Sequence, residues 1–457
     1  MNKKYLLPFI ASFLVMLPAA PLQGARLVSQ KTITTQNKLT SSFKLKNGIP
    51  VIYRQIAGSD ILQINYAFAR GLKDLKGPKR VTDGIMFDAM ASGAKGWPKE
   101  KLYATLEKFS GAVSCGNGIE RGSCSLVTIN SYSKKLMPLY AAVILQPTFV
   151  AKDVNNLVAQ AIAGIRQQTQ NPGSFVNEVV NRVFYPPGHP YRLDTEYKLK
   201  ILPTIKPADL KAQHKPLLNA SLHRITAVGS LPAGELKGML NRHFGHLKGT
   251  PVAAKPVPEP VFDQKRTFEL ENRKIPTAYM SIKMNAPAIS AKDYLDARLM
   301  FHILSEELGE EIRTKRSLSY SIYAYMINYS VGIGVIGATT SKPKETLEAI
   351  HQVLHKIKSR TYSKKEIEDY KTVFATRYFL TLEEHSSLAG ALSRTGHYFG
   401  DAGHLYRMPR DLEAINPARI QSAARRYLRD FRVGVIFSKD KFKQKWADDL
   451  VKRHPSG

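Results

Sequence analysis

The sequence predicts an α/β (α+β) chain made of two homologous halves, and three observations carry that reading. At 457 residues the chain is too long for one ordinary hydrophobic core. The order of strand-like and helix-like segments in its first half recurs in its second. Between the two lies GTPVAAKPVPEPVFDQ, rich in Pro and Val and without periodicity, which reads as a linker. The expected division is a leader at 1–25, a first domain at 26–248, a linker at 249–265 and a second domain at 266–457. A hydrophobic share of 43% and a charged share of 23% are those of a globular chain and exclude intrinsic disorder as the default.

In the first half, FKLKNGIPVIYRQ and ILQINYAFARG alternate apolar and polar residues as strands do, with Asn47-Gly48 as a turn. RVTDGIMFDAMASGA and PKEKLYATLEKFSG follow as helices; Pro98 suits a first helical turn, and Leu102, Leu106 and Phe109 share a face. Further helices are expected from Asp153 to Gln168, Ser174 to Val183 and Pro207 to Leu217. They precede a strand, HRITAVGSL, and a helix ending at HFGHLKG.

Beyond the linker, the strand TAYMSIKMNAP leads to a helix from Asp293 to about Arg316, then to the strands SYSIYAYMI and VGIGVIGATT. Helices at Lys344 to Lys358, Lys364 to about Thr381 and Ser386 to His397 come next. INPARIQSAARRYLRD then matches IKPADLKAQHKPLLN of the first half, ahead of a last strand, RVGVIFS.

MNKKYLLPFIASFLVMLPAAPLQGA has the layout of a cleaved secretory signal: a basic start, a short apolar run, then small residues. The run is too short to span a bilayer, and no other segment reaches that length. The expectation is an exported protein without a membrane span, periplasmic in the simplest case or else secreted. The two cysteines, Cys115 and Cys124, flank Gly116-Asn117-Gly118, so a hairpin there brings the sulfurs opposite one another. In an oxidising compartment a disulfide results; a pair of buried thiols and half of a metal site are the alternatives. The net charge of +30 is spread along the chain, which with export argues against nucleic acid. It suits acidic peptides, an acidic protein partner, an anionic envelope surface or a plain solvated surface.

No complete catalytic motif is present. HQVLH, His351 to His355, has the spacing that puts two imidazoles on one metal, but no glutamate stands between them to act as general base. HFGH, His243 to His246, lacks one too. GIGVIG, Gly332 to Gly337, matches the dinucleotide fingerprint by letter, yet its glycines alternate with Val and Ile as in a strand with close backbone approaches. Neither G-x-S-x-G nor G-x-x-x-x-G-K-[ST] occurs.

RTKRSLSY, at the end of a long helix and ahead of a Gly-rich strand in the second half, resembles the matching segment of the insulinase/pitrilysin family of zinc metallopeptidases, the inverted zincins. The resemblance runs on through FKLKNGIPVIYRQ, SGAKGWPKEKL, QQTQNPGSFVNEVVNRVFYPPGHPY, the linker and the final strand. It implies two halves, each a mainly antiparallel sheet with packed helices, arranged as a clamshell. It also implies that Arg313 and Tyr320 are the family's helix-end arginine and strand tyrosine, which contact substrate near the metal. Family enzymes grip peptides on a strand edge, which corresponds here to GAVSCG.

The departures from the family pattern matter as much. Where the family carries H-x-x-E-H this chain reads GIMFD, with Gly84 and Asp88 at the histidine positions and Phe87 at the glutamate. Ala163 and Gly164 stand where a third, glutamate ligand belongs. One carboxylate does not hold a catalytic zinc, which takes about three protein ligands. The family includes two-chain members in which one subunit holds the metal and a homologous one supplies the arginine and tyrosine. The expectation is therefore an exported subunit that binds no cofactor itself, inactive alone. It would supply Arg313 and Tyr320 in trans to a zinc-bearing H-x-x-E-H partner that cleaves peptides, acidic ones being a fit to the charge. A proteolytically inactive peptide-binding or scaffold protein of the same fold is the second expectation, and a self-sufficient peptidase using His351 and His355 the third.

Overall fold

The chain turns between its first two strands at Gly48, whose φ of +86° is open to glycine without strain. In the computed structural model, which describes residues 35–455 apart from 261 and 263–265, the leader expected at 1–25 falls outside the described residues. The first half runs β1 (Thr40–Lys44), β2 (Pro50–Gln55), β3 (Ile61–Phe68), α1 (Lys79–Met90), α2 (Lys99–Lys108), β4 (Ala112–Gly116) and β5 (Gly122–Ile129). It continues with α3 (Ser133–Leu145), α4 (Ala151–Gln170), α5 (Pro172–Phe184), α6 (Thr195–Ile201), α7 (Pro207–His214), β6 (His223–Gly229) and α8 (Ala233–Phe244). Its six strands lie in the order β1-β2-β6-β3-β5-β4.

The second half runs β7 (Phe268–Asn272), β8 (Ala278–Ala286), α9 (Tyr294–Leu308), β9 (Ser321–Ile327), β10 (Gly332–Thr340), α10 (Pro343–Ser359) and α11 (Lys364–Thr381). It ends with α12 (His385–Phe399), α13 (His404–Glu413), α14 (Pro417–Tyr427), β11 (Arg432–Phe437) and α15 (Gln444–Lys452). Its sheet has the order β7-β11-β8-β10-β9. Apart from β1, strand for strand this repeats the first sheet, down to one parallel pair in each, β2 with β6 and β7 with β11, among antiparallel neighbours. The two-half, mainly antiparallel α/β plan read from the sequence is thus the architecture observed.

Local chemistry accounts for the helix starts. Asn171 caps α5 by accepting the Ser174 N–H at 3.2 Å, with Pro172 in the first turn; Asn416 and Pro417 do the same for α14, and Ser363 and Glu366 close a capping box on α11. Five elements were not anticipated: α3 and α13, each with an internal proline (Pro138, Pro409), and the short α6, α15 and β7.

Each half has its own core, and each lends one helix to the other. α5, from the first half, packs on β11, β8 and β7, burying Phe175, Val176 and Val179 against Ile436. α12, from the second half, packs on β6, β3 and β2, burying Leu388, Ala389 and Leu392 against Val228. The approach is close enough to need glycine. A Cβ on Gly434 would lie 2.5 Å from the Val180 backbone nitrogen, and one on Gly396 would lie 2.6 Å from Ile52 Cδ1.

A buried lysine sits in the first of these interfaces. Lys283 on β8 is 4% exposed and donates to Asn181 Oδ1 on α5 at 2.6 Å. Burial lowers its pKa from 10.5 to about 8. Unfolding restores the ordinary value, so between about pH 8 and 10.5 the unfolded chain binds more protons and stability rises with pH. Below that window the buried ammonium costs on the order of 3 kcal/mol. The melting temperature of the wild-type chain is expected to gain on that of Lys283→Met as pH is raised from 8 to 10. A constant difference between the two melting curves across that range would contradict this assignment.

Candidate functional site

α9 does not stop at Leu308 but runs into a π-helical turn, Gly309–Lys315, which re-aims the side chains that follow. Ser317, at φ +50°, ends it, and Leu318 N–H closes back on Ile312 O at 2.9 Å. The link to β9 is pinned from below. Ile312 and Ser319 are buried, Ser319 Oγ lies 2.8 Å from Thr339 O, and Thr340 Oγ1 donates to Leu318 O at 2.6 Å. From this anchored platform Arg313 and Tyr320 face outward.

Tyr320 is 93% exposed, and Arg313 is exposed as well. Among the described residues neither side chain enters a hydrogen bond or ion pair, whereas their basic neighbours do. Arg316 Nη2 binds Glu311 Oε1 and Gln352 Oε1, each at 2.6 Å, and Lys315 Nζ lies 3.7 Å from Glu310 Oε1. An exposed arginine and tyrosine with no hydrogen-bond or ion-pair partner among the described residues are donors available to something outside the chain.

The helix bearing GIMFD does not fit a metal. Phe87, fully buried, packs edge-on to Phe68, and its ring fills the space above Gly122, where a Cβ would lie 2.2 Å from it. Phe87, which the resemblance aligns with the general base, is a core residue. Gly84 offers no donor and faces the Asn117 amide, 3.8 Å from where its Cβ would be. Asp88 stands at the surface, its pKa raised by the packing around it. Ala163 and Gly164 are exposed on α4. Beside them, Asp83 is buried with Arg70, Gln213 and Asn117; burial raises its pKa and the Arg70 guanidinium opposes that rise. These are structural contacts of a filled site.

The GIMFD segment and the Arg313/Tyr320 pair lie toward different ends of β9. Asn117, beside Gly84, belongs to the β4–β5 connection, whose Glu120 accepts Ser330 N–H at 3.0 Å just beyond β9. Tyr320 precedes the same strand, whose seven residues run about 23 Å at roughly 3.3 Å each. Glu120 also accepts from Tyr191 and Tyr398 and locks the two halves at that end.

Cys115 and Cys124 are directly opposed on β4 and β5, with Cα atoms 4.0 Å apart, and are disulfide-bonded. β4 is one of the two outer strands of its sheet, and among the described residues no hydrogen bond reaches its free edge. On its counterpart β9 one edge donor is taken: Ser305 of α9 accepts the Ala324 N–H at 3.1 Å. GIGVIG lies within β10, paired on both sides, with Phe301 over Gly334 and Tyr323 over Gly337, so no nucleotide turn forms. His351 Nδ1 meets His454 Nε2 at 3.0 Å, a partner 103 residues away that spacing gives no means to find. Among the described residues no group of three or more His, Cys, Asp or Glu side chains is disposed to hold a metal ion. No helix there is long and apolar enough to cross a membrane.

Comparison with known proteins adds a family pattern and a fold. The profile of the Peptidase M16 inactive domain matches residues 204–374. An uncharacterized zinc protease, YmxG of Bacillus subtilis, is 26% identical over 137 residues, which is 29% of this chain and 34% of that protein. The match thus spans about a third of the relative's length. Among solved structures, a peptidase M16 inactive domain from Pseudomonas fluorescens superposes with a TM-score of 0.78 at 20% identity, covering 88% of this chain and 98% of the other. A protease from Helicobacter pylori gives 0.77 at 15%, covering 87% and 99%. The periplasmic protease PqqL of Escherichia coli gives 0.75 at 15%, covering 88% of this chain and 46% of that one. Residues 204–374 therefore carry the pattern of the Peptidase M16 inactive domain, and the chain has the fold of the solved structures just named.

Proposed function

We propose that this chain is the non-metal-bearing subunit of a heteromeric, insulinase-like zinc peptidase, exported to the periplasm. It presents Arg313 and Tyr320 in trans to a homologous subunit that carries H-x-x-E-H and the zinc. The observation that carries this reading is the outward, unpartnered Arg313 and Tyr320 on a tightly pinned platform, in a chain whose own motif helix is plugged by Phe87. The M16 inactive-domain match and the description of PqqL as a periplasmic protease support it.

In that role the Arg313 guanidinium donates to a carbonyl oxygen of the bound peptide and fixes its register. The Tyr320 hydroxyl donates to the oxygen on which negative charge develops as the peptide carbon becomes tetrahedral, a stabilisation that counts because the donor is already in place. The bond cleavage belongs to the partner. The open edge of β4 favours a second reading, in which the chain holds extended peptides without taking part in their hydrolysis.

Two measurements test the proposal. Metal analysis of the purified chain is expected to find no stoichiometric zinc, and the chain alone to cleave nothing; about one tightly held zinc per chain would overturn it. Reconstituted with the H-x-x-E-H partner, Tyr320→Phe and Arg313→Ala are each expected to lower kcat/KM by about a hundredfold, with the melting temperature unchanged because both side chains are exposed. Activity equal to wild type in both variants would transfer the chain to the peptide-holding reading.

A further inference from the structure

Away from Arg313 and Tyr320, α9, the β9–β10 connection, α11, α12 and α13 enclose a small cavity of about 90 Å³. Its described lining contains two arginines, Arg298 and Arg394, and His404, with no aspartate or glutamate; Asp411 and Asp401 act on His404 from outside the lining. Among the described residues neither arginine has an ion-pair or hydrogen-bond partner. Arg298 is half-buried, its guanidinium carbon 5.2 Å from the Phe374 ring centroid and 5.5 Å from that of Tyr378, so the rings hold its guanidinium while its N–H groups are without hydrogen-bond partners among the described residues.

The other polar groups in the lining are consistent with an anion. Burial pushes the Tyr378 hydroxyl up to about 12, and Arg298 and then Arg394 oppose that rise, so both cations act at the hydroxyl. It is a neutral donor at any ordinary pH. Asn328 Oδ1 is buried without a donor; turning the amide over presents its NH₂ group instead. Arg394 is exposed and leaves the cavity accessible from its side. Nearby Arg121 of the first half donates to Ser393 Oγ at 3.0 Å; burial lowers its pKa and the positive charge of Arg394 adds to the effect. Two guanidiniums without a carboxylate partner, beside a third on which Glu120 acts, is an arrangement that a bound anion relieves.

We infer that this cavity is a binding site for a small oxyanion, of carboxylate or phosphate size, gripped by Arg298 and Arg394 with Tyr378 and Asn328 as further donors. The volume, about that of three water molecules at roughly 30 Å³ each, admits one such group. The oxyanion is either free in solution or the carboxylate of an acidic peptide, the two sources that a chain of net charge +30 attracts.

The test uses the full chain and inorganic phosphate, with sodium chloride at matched ionic strength as the reference. Phosphate is expected to bind saturably at one site by titration calorimetry and to raise the melting temperature beyond the chloride reference. Arg394→Ala and Arg298→Gln are each expected to weaken that binding about tenfold or more, while Lys365→Ala, at an exposed lysine on α11, leaves it unchanged. Arg394→Ala keeps the test open should Arg298→Gln fail to fold, since Arg394 is exposed. A blocked glutamate-containing peptide that competes with phosphate, when its glutamine counterpart does not, identifies a peptide carboxylate as occupant; phosphate binding without such competition identifies a free anion. Equal phosphate binding by wild type and both arginine variants, or no binding beyond the chloride reference, would overturn the inference.

Discussion

The exchange of helices between halves is the constraint on which the rest of this structure depends. A sheet covered by helices on one face alone leaves its other face to water, and here α5 and α12 supply the missing covers reciprocally. Neither half therefore completes its core without the other. The glycines at 434 and 396 set how closely each borrowed helix sits, and Glu120, buried among Tyr191, Tyr398 and Ser330, closes one end of the seam. The platform that holds Arg313 and Tyr320 inherits its rigidity from a sheet fixed in this way.

Much of the fold was legible because it is written in local periodicity. The alternation of ILQINYAFARG and SYSIYAYMI, the Asn47-Gly48 turn and the recurrence of segment order across the linker each reflect one strand, turn or repeat in the structure. What local pattern misled were helices with internal prolines, where packing of Leu136, Tyr140 or Leu412 outweighs the lost hydrogen bond. The exchange of α5 and α12 was not legible at all, since an apolar helix face does not say which sheet it covers.

The candidate site divides along the same line. Arg313 and Tyr320 stood out only through resemblance, because an arginine near a helix end and a tyrosine beside a strand are ordinary by themselves; their exposure and lack of partners are tertiary facts. GIMFD was legible as a departure from the family pattern, but not as core. Phe87 over Gly122 and against Phe68 is packing that a glutamate at this position would disrupt. The cavity at Arg298 and Arg394 draws on five separate elements, and no short stretch of sequence contains it.

Of the four outer strands, β1 and β4 in one sheet and β7 and β9 in the other, β4 and β9 differ in a way that bears on assembly. Ser305 occupies the middle of the β9 edge, while the β4 edge has no such cover. A molecule with two free sheet edges invites indefinite strand-to-strand stacking of copies, the route to fibres. Ser305 blunts one such edge, so a second copy of this chain meets strands of unequal readiness to pair, and the β4 edge offers it the unobstructed ladder.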